Sequence, residues 1–421
     1  MNTAENSTFL ARIKRVIFTI SLGLIISSTF TPGIVTKAIL SPLAQHKKPA
    51  AEAQKPGYEV FGFAPYWTIN KLDNVDFGTL TTLAYFGVPV NSDGTFDASD
   101  VGYKTLKSTQ AQQVFERAHS AGARVVLTIT QMDNDTIETF LADKGAQQKA
   151  ISSALSLAQE EKLDGVNIDF EYVGNPGLAV RHEFSEFVSD FSSTFHNKIP
   201  NSYITVSVYA ASMKDPKIYD IASLANSSDG IFMMAYDFAT ASSNAAVPTA
   251  PLYGYREGKY WYDISTAVQD FLKVMPANKL ILGLPWYGYN YAVETPSTGT
   301  ARYTGYYYTY YWRYRRYTAF YSVPSSAQTY SSVSQNVVPT QKGWDKVGKS
   351  NWYAYQEGGI WRMVFFDDPR SLKIKYDFAK SKNLAGVGIW ALGFDSGTSD
   401  MWNLLSDEFG AKLADNVTSS N

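Results

Sequence analysis

In LDGVNIDFEYVG, Leu163 to Gly174, polar Asn167, Asp169 and Glu171 take every second position while Val166, Ile168 and Phe170 fill the places between. Side chains of an extended strand alternate between faces, so the three polar groups project one way and the three apolar ones the other. Two structures suit such a strand. It is either an edge strand wetted on one side, or a strand whose inner face ends in a polar, functional site.

Seven further apolar runs read as strands: Tyr58–Ala64, Leu80–Val88, Arg124–Thr130, Tyr203–Ala210, Gly230–Asp237, Lys279–Gly288 and Leu384–Gly393. With Leu163–Glu171 they make eight expected strands. Several of the gaps carry apolar residues at helical spacing, as in AQQVFERAHSAG, QQKAISSALSLAQEEK and RHEFSEFVSDFSSTFHNK. Alternation of strand and helix implies right-handed crossovers and a parallel sheet. Eight such units predict an α/β fold of the (β/α)8 type, a TIM barrel, whose site gathers at the C-terminal strand ends. A doubly wound open sheet is the competing arrangement, because periodicity does not report closure.

The interval Asn290–Asn383 is far longer than the other gaps, and its part ARYTGYYYTYYWRYRRYTAFYSV is strand-forming rather than helical. An inserted α+β subdomain at about 291–362 is expected between strands seven and eight, within a barrel domain spanning 58–415. The tyrosine cluster Tyr306–Tyr311 is either a glycan platform or the core of that subdomain.

The chain has 421 residues, a formal charge of -2 and 15% aromatic residues. Near-zero charge gives no general attraction for nucleic acid or anionic membrane. Cysteine is absent, which excludes thiol nucleophiles, disulfides and thiolate metal sites, and the four histidines form no metal-binding pattern. No metal and no cofactor is expected. Arg12, Lys14 and Arg15 precede the apolar run Val16–Phe30, which is short for a membrane span and resembles the core of a signal peptide. Residues 1–38 are therefore expected to be a signal peptide or an uncleaved anchor, 39–57 a linker, and the protein secreted or held at the cell surface.

GWDKVGKS, Gly343 to Ser350, satisfies the phosphate-loop pattern, but no buried strand leads into it and Pro339 interrupts the approach. Nucleotide binding is set aside. Asp169 and Glu171 carry more meaning. Their Cα atoms lie about 6.8 Å apart on an extended strand, so both carboxyls reach one reaction volume. Glycosidic cleavage needs a proton donor for the leaving oxygen and a second group to stabilise charge at the anomeric carbon, which such a pair provides. A solvated strand end with two acids fits these residues equally well.

DGVNIDFE resembles the DxxDxDxE signature of glycoside hydrolase family 18, the chitinase family, and FMMAYDF, LILGLPWYGY and the terminal GVGIWALG resemble motifs of its sixth, seventh and eighth strands. The resemblance implies substrate-assisted, retaining hydrolysis of β-1,4-linked N-acetylglucosamine glycans. It implies Glu171 as general acid and base, Asp169 as the residue orienting the acetamido group, Tyr236 as its hydrogen-bond partner, and Asp237 as an aid to sugar binding and distortion. Trp390 would floor the pocket and Asp164 would be structural. Met234 is a further candidate for the substrate cleft, although apart from the resemblance Met234 and Trp390 read as core strand residues. Tyr66 and Trp67, closing the first strand, and Trp286 and Tyr287, closing the seventh, either line the cleft or seal the barrel top. The signature departs at Asn167, where many members have a third acid; an amide there does not ionise but is expected to hydrogen-bond Asp169. The partner implied is an N-acetylglucosamine-containing polysaccharide, with no nucleic acid, and with membrane contact only through the N-terminal segment. Chitin, peptidoglycan or spore-wall glycan, and a non-catalytic lectin role all remain open on the sequence, as does the oligomeric state.

Overall fold

The computed structural model describes residues 57–335 and 339–410. The expected leader or anchor, and the linker up to residue 56, lie outside the described residues. Eight parallel strands close a barrel: β1 (Glu59–Pro65), β2 (Thr82–Pro89), β3 (Arg124–Gln131), β4 (Gly165–Phe170), β5 (Tyr203–Tyr209), β6 (Gly230–Met234), β7 (Leu280–Pro285) and β15 (Gly386–Trp390). β15 pairs with both β7 and β1, which excludes the open doubly wound sheet.

The alternation in β4 sorts as expected. Val166, Ile168 and Phe170 are fully buried on the outer face, where Phe170 stacks on Phe187 at 5.8 Å. Phe187 belongs to the helix Leu178–Lys198, whose Phe184, Phe187, Phe191 and Phe195 recur at three- and four-residue spacing and so share one buried stripe. Emptying one such ring position costs about 3–5 kcal/mol. On the inner side, Asn167 lies in register with Thr128 of β3 and Thr205 of β5, giving this arc of the lumen a polar lining. The opposite arc is aromatic: Phe232 meets Phe61 at 5.3 Å and Phe63 at 4.8 Å. Gly388 makes room there, since a Cβ on it would stand 2.1 Å from the Phe232 ring.

Between β7 and β15 runs the insertion. Its antiparallel sheet has the order β11 (Ser326–Thr329), β8 (Tyr287–Val293), β14 (Ile360–Phe366), β13 (Ser350–Glu357), β12 (Gln341–Asp345), with the short helix Tyr330–Gln335 following β11. A separate hairpin pairs β9 (Gly305–Trp312) with β10 (Arg315–Ser322). The run expected as one seventh strand, Lys279–Gly288, is broken at Trp286: β7 ends at Pro285, and Tyr287 already belongs to the inserted sheet. Asp345 pairs with Ser350 in the hairpin of β12 and β13. GWDKVGKS is therefore two antiparallel strands and their turn, with no helix to receive a phosphate. Among the described residues no helix is long and apolar enough to cross a membrane.

Candidate active site

Glu171 is the residue immediately after β4, and its backbone N–H still donates to the Gln131 carbonyl at 2.8 Å, continuing the ladder one step beyond the strand. That bond holds the residue at the barrel mouth. Two positions earlier on the same face, Asp169 is only 3% exposed, and its Oδ1 is buried with no hydrogen-bond partner among the described residues. Burial, and then the charge of Glu171, hold the Asp169 carboxyl well above the usual carboxylate range. Glu171 itself is half-exposed, and its Oε2 accepts a hydrogen bond from the Tyr209 hydroxyl at the end of β5. One acid therefore lies sealed and starved of donors while the other faces the opening.

β6 ends at Met234, so Tyr236 and Asp237 stand on the loop beyond it. Asp237 has φ of 58°, a left-handed conformation that Asp tolerates better than most residues. Its Oδ1 accepts from the hydroxyls of Tyr287 at 2.5 Å, Tyr289 at 2.9 Å and Thr249 at 3.2 Å, while the residue keeps an exposed surface. Crowding by the surrounding protein raises its carboxyl and the three donors oppose that rise. Burial, and then the charges of Asp169, Glu171 and Asp237, push the Tyr236 phenol far up. Burial and the neighbouring acids do the same to Tyr209 and Tyr287. All three phenols consequently keep their protons across the working pH range and serve as hydrogen-bond donors.

Trp390 closes β15 as a half-buried ring, held by Phe86 at 4.8 Å, Phe63 at 5.4 Å and Trp67 at 6.5 Å. Trp67 lies on the turn after β1, and Met234 packs with the aromatic lumen cluster against which Trp390, Trp67 and Tyr236 rest. Tyr236 and Trp390 also contact the inner tyrosines of the insertion, so barrel and insertion meet at the site.

Two expectations are corrected. Trp286 does not join the others: it is fully buried and packs edge-on to Trp402 at 5.2 Å, because the strand break turns it towards the helix Ser399–Phe409. Asn167 does not reach Asp169 either. Its amide donates to Ser207 Oγ at 3.0 Å and accepts from Thr205 Oγ1 at 2.9 Å, which commits it to β5. Asp164 ties the start of β4 to its neighbour by accepting from the Val125 N–H at 2.8 Å.

Tyr209, Tyr289 and Thr249 were not singled out from the sequence. Tyr209 carried a usable signal, since it ends an expected barrel strand, and Tyr289 lies two residues beyond the candidate Tyr287; Thr249, twelve residues after Asp237 on an irregular loop, carried none. A groove of about 790 Å³ on the barrel flank, lined in part by Asp73, Gln113 and Arg117, contains none of these groups. Among the described residues no cluster of three or more His, Asp or Glu could hold a metal ion.

The sequence profile of the glycosyl hydrolases family 18 matches residues 59–395, which takes in every barrel strand. The chain belongs to that family. This family 18 chain is a glycosidase. It is 27% identical to human di-N-acetylchitobiase over 344 residues, 73% of this chain and 82% of the relative. It is 21% identical to the cortical fragment-lytic enzyme of Bacillus subtilis over 341 residues, 78% of this chain and 68% of that protein. The family 18 fold is shared with the group IV chitinase of Ostrinia furnacalis, solved with allosamidin, at a TM-score of 0.69 and 20% identity over 83% of this chain and 97% of that one.

Proposed function

We propose that this family 18 enzyme hydrolyses β-1,4 bonds of N-acetylglucosamine-containing glycans with retention of configuration, using the sugar's own acetamido group as nucleophile. The observation that carries the reading is the contrast within one strand end. Asp169 is buried with an unpartnered oxygen, while Glu171, two residues on, is open to the mouth of the barrel.

The charge of Glu171 acts on the Asp169 carboxyl, so the protonation of one bears on that of the other. An acetamido N–H donated to the Asp169 carboxylate favours its ionised form and leaves the proton to Glu171. Glu171 gives that proton to the glycosidic oxygen as the bond to the anomeric carbon breaks, and the acetamido carbonyl oxygen bonds to the same carbon, forming an oxazolinium. The Glu171 carboxylate then takes a proton from the water that opens the ring. Tyr236 donates to the acetamido group, Asp237 binds and distorts the sugar, and the Trp390 ring lies beneath it. Residues 1–38 are read as the signal or anchor that brings this activity to the cell surface.

The test is turnover of an aryl chito-oligosaccharide by Glu171→Gln. Hydrolysis should vanish while oligosaccharide binding persists; a variant that still turns over removes Glu171 from the role of acid.

A further inference from the structure

The hairpin of β9 and β10 is the most aromatic segment of the chain, with ten aromatic residues among the eighteen of 305–322, and it buries almost none of them. A strand pair that serves as a core hides one face. Here Tyr310 on one face is 45% exposed and Tyr311 on the other is 72% exposed. The cluster is therefore not the core of the insertion, which is built from Tyr287, Tyr289, Tyr291, Met363 and Phe365.

The register arranges these rings in rows. On one face Tyr306 stands opposite Tyr321, Tyr310 opposite Tyr317, and Trp312 opposite Arg315. Tyr310 stacks on Tyr317 at 5.4 Å with an interplanar angle of 18° and lies 5.9 Å from Tyr308. From Tyr306 to Trp312 the row runs about 20 Å, enough for several sugar rings in succession. At its tip Arg313 and Tyr314 adopt φ of 47° and 64°, and Tyr314 points wholly into solvent.

Charge narrows the choice of occupant. Arg313, Arg315 and Arg316 crowd the tip, no Asp or Glu occurs from residue 295 to 344, and none of the three guanidiniums forms an ion pair with a described residue. The hairpin has no Leu, Ile, Val or Met to sink among acyl chains or to fill a dry protein interface. Its rings, mostly hydroxyl-tipped, suit sugar faces, and guanidinium forks suit carboxylates. The base of the hairpin is tied to the loop that carries Asp237, since the Arg302 N–H donates to the Asn244 carbonyl at 2.8 Å and Ala301 bridges Ala245.

We propose that this hairpin is a docking platform for a carboxylate-bearing amino-sugar polymer, which it holds beside the catalytic cleft. The inference rests on the glycan-hydrolase reading and specifies the polymer: a peptide-substituted, anionic glycan of the peptidoglycan kind rather than neutral chitin.

The experiment measures binding of the purified protein to peptidoglycan sacculi stripped of teichoic acid, to the same sacculi with carboxyls amidated, to insoluble chitin and to phosphatidylglycerol vesicles. Two variants are compared with wild type, Tyr306→Ser/Tyr310→Ser/Tyr317→Ser and Arg313→Gln/Arg315→Gln/Arg316→Gln. Each should weaken sacculus binding roughly tenfold, and both should turn over a soluble aryl chito-oligosaccharide as wild type does. Amidation, or 0.5 M salt as a rough screening condition, should weaken wild type but leave the arginine variant little changed. Unaltered sacculus binding by both variants, equal or tighter hairpin-dependent binding to chitin or vesicles, hairpin-dependent self-association in sedimentation, or loss of soluble turnover in the variants would each overturn the proposal. Sacculus binding that depends on the hairpin, in a protein that cleaves no glycan, would leave the platform standing and remove the hydrolase reading instead.

Discussion

Asp169→Asn should make the protein more stable as it disables it. The wild-type carboxyl is 3% exposed, and its Oδ1 has no donor among the described residues. A buried polar group left unsatisfied costs about 1–3 kcal/mol, more when charged. The amide has almost the same shape and does not ionise, so it removes the cost of a buried charge, about 1.4 kcal/mol per pH unit between the unfolded and folded pKa values. A gain of about 1–3 kcal/mol is expected near neutrality, or a rise in Tm of roughly 2 °C per kcal/mol for a domain of this size. The pH dependence has a definite sign. Burial and Glu171 raise the folded-state pKa of Asp169, so the wild type loses stability as pH rises from the unfolded value of about 3.9 through the folded one. Asparagine does not ionise, so the advantage of the variant should be smallest near pH 4 and widen towards neutrality. Thermal melts of both proteins from pH 4 to 8, with turnover of an aryl chito-oligosaccharide measured on the same samples, check this. A variant less stable than wild type, or a Tm difference that does not vary with pH, would refute the argument that Asp169 is held in a strained, donor-poor position.

Further outcomes follow from other contacts. Tyr209→Phe removes a hydroxyl that donates to Glu171 and leaves the ring in place; after allowing for water at the half-exposed carboxyl, kcat/KM should fall by roughly fivefold to tenfold, and an unchanged value would show the contact to be idle. Asn167→Asp restores the acid of the family signature at a position with no exposure. Burial raises such a carboxyl, so the variant should match wild type at low pH and fall progressively below it on heating as pH rises; a pH-independent deficit would contradict this. Lys375→Met strands Asp367, its buried partner before the helix Pro369–Ser381, and should cost about 3–5 kcal/mol in urea unfolding, with less than about 1 kcal/mol counting against a buried pair of consequence.

How far the sequence could be read depended on the range of the interaction concerned. Eight strands, the polar inner face at Asn167, Asp169 and Glu171, and a long insertion before the last strand follow from periodicity and spacing, which are local. The break at Trp286 escaped because Pro285, Trp286 and Tyr287 form one unbroken apolar run, and only the switch from parallel pairing with β15 to antiparallel pairing with β14 ends one strand and starts another. The partners of Asn167 escaped for a similar reason. Along its own strand the nearest inward polar group is Asp169, but the stagger of the barrel puts Thr205 and Ser207 closer.

By itself, the sequence determined that two acids share the inner face of one strand, that eight such strands alternate with helices, and that a tyrosine- and arginine-rich segment without acids lies between the last two. Those are properties of composition and period, which act over a few residues. Only the tertiary structure decided that β15 seals the barrel, that Tyr209, Tyr287 and Tyr289 arrive from distant parts of the chain to hold Glu171 and Asp237, and that the tyrosine hairpin stands in solvent. Closure, stagger and exposure depend on which distant strands become neighbours, and no window of a few residues contains that information.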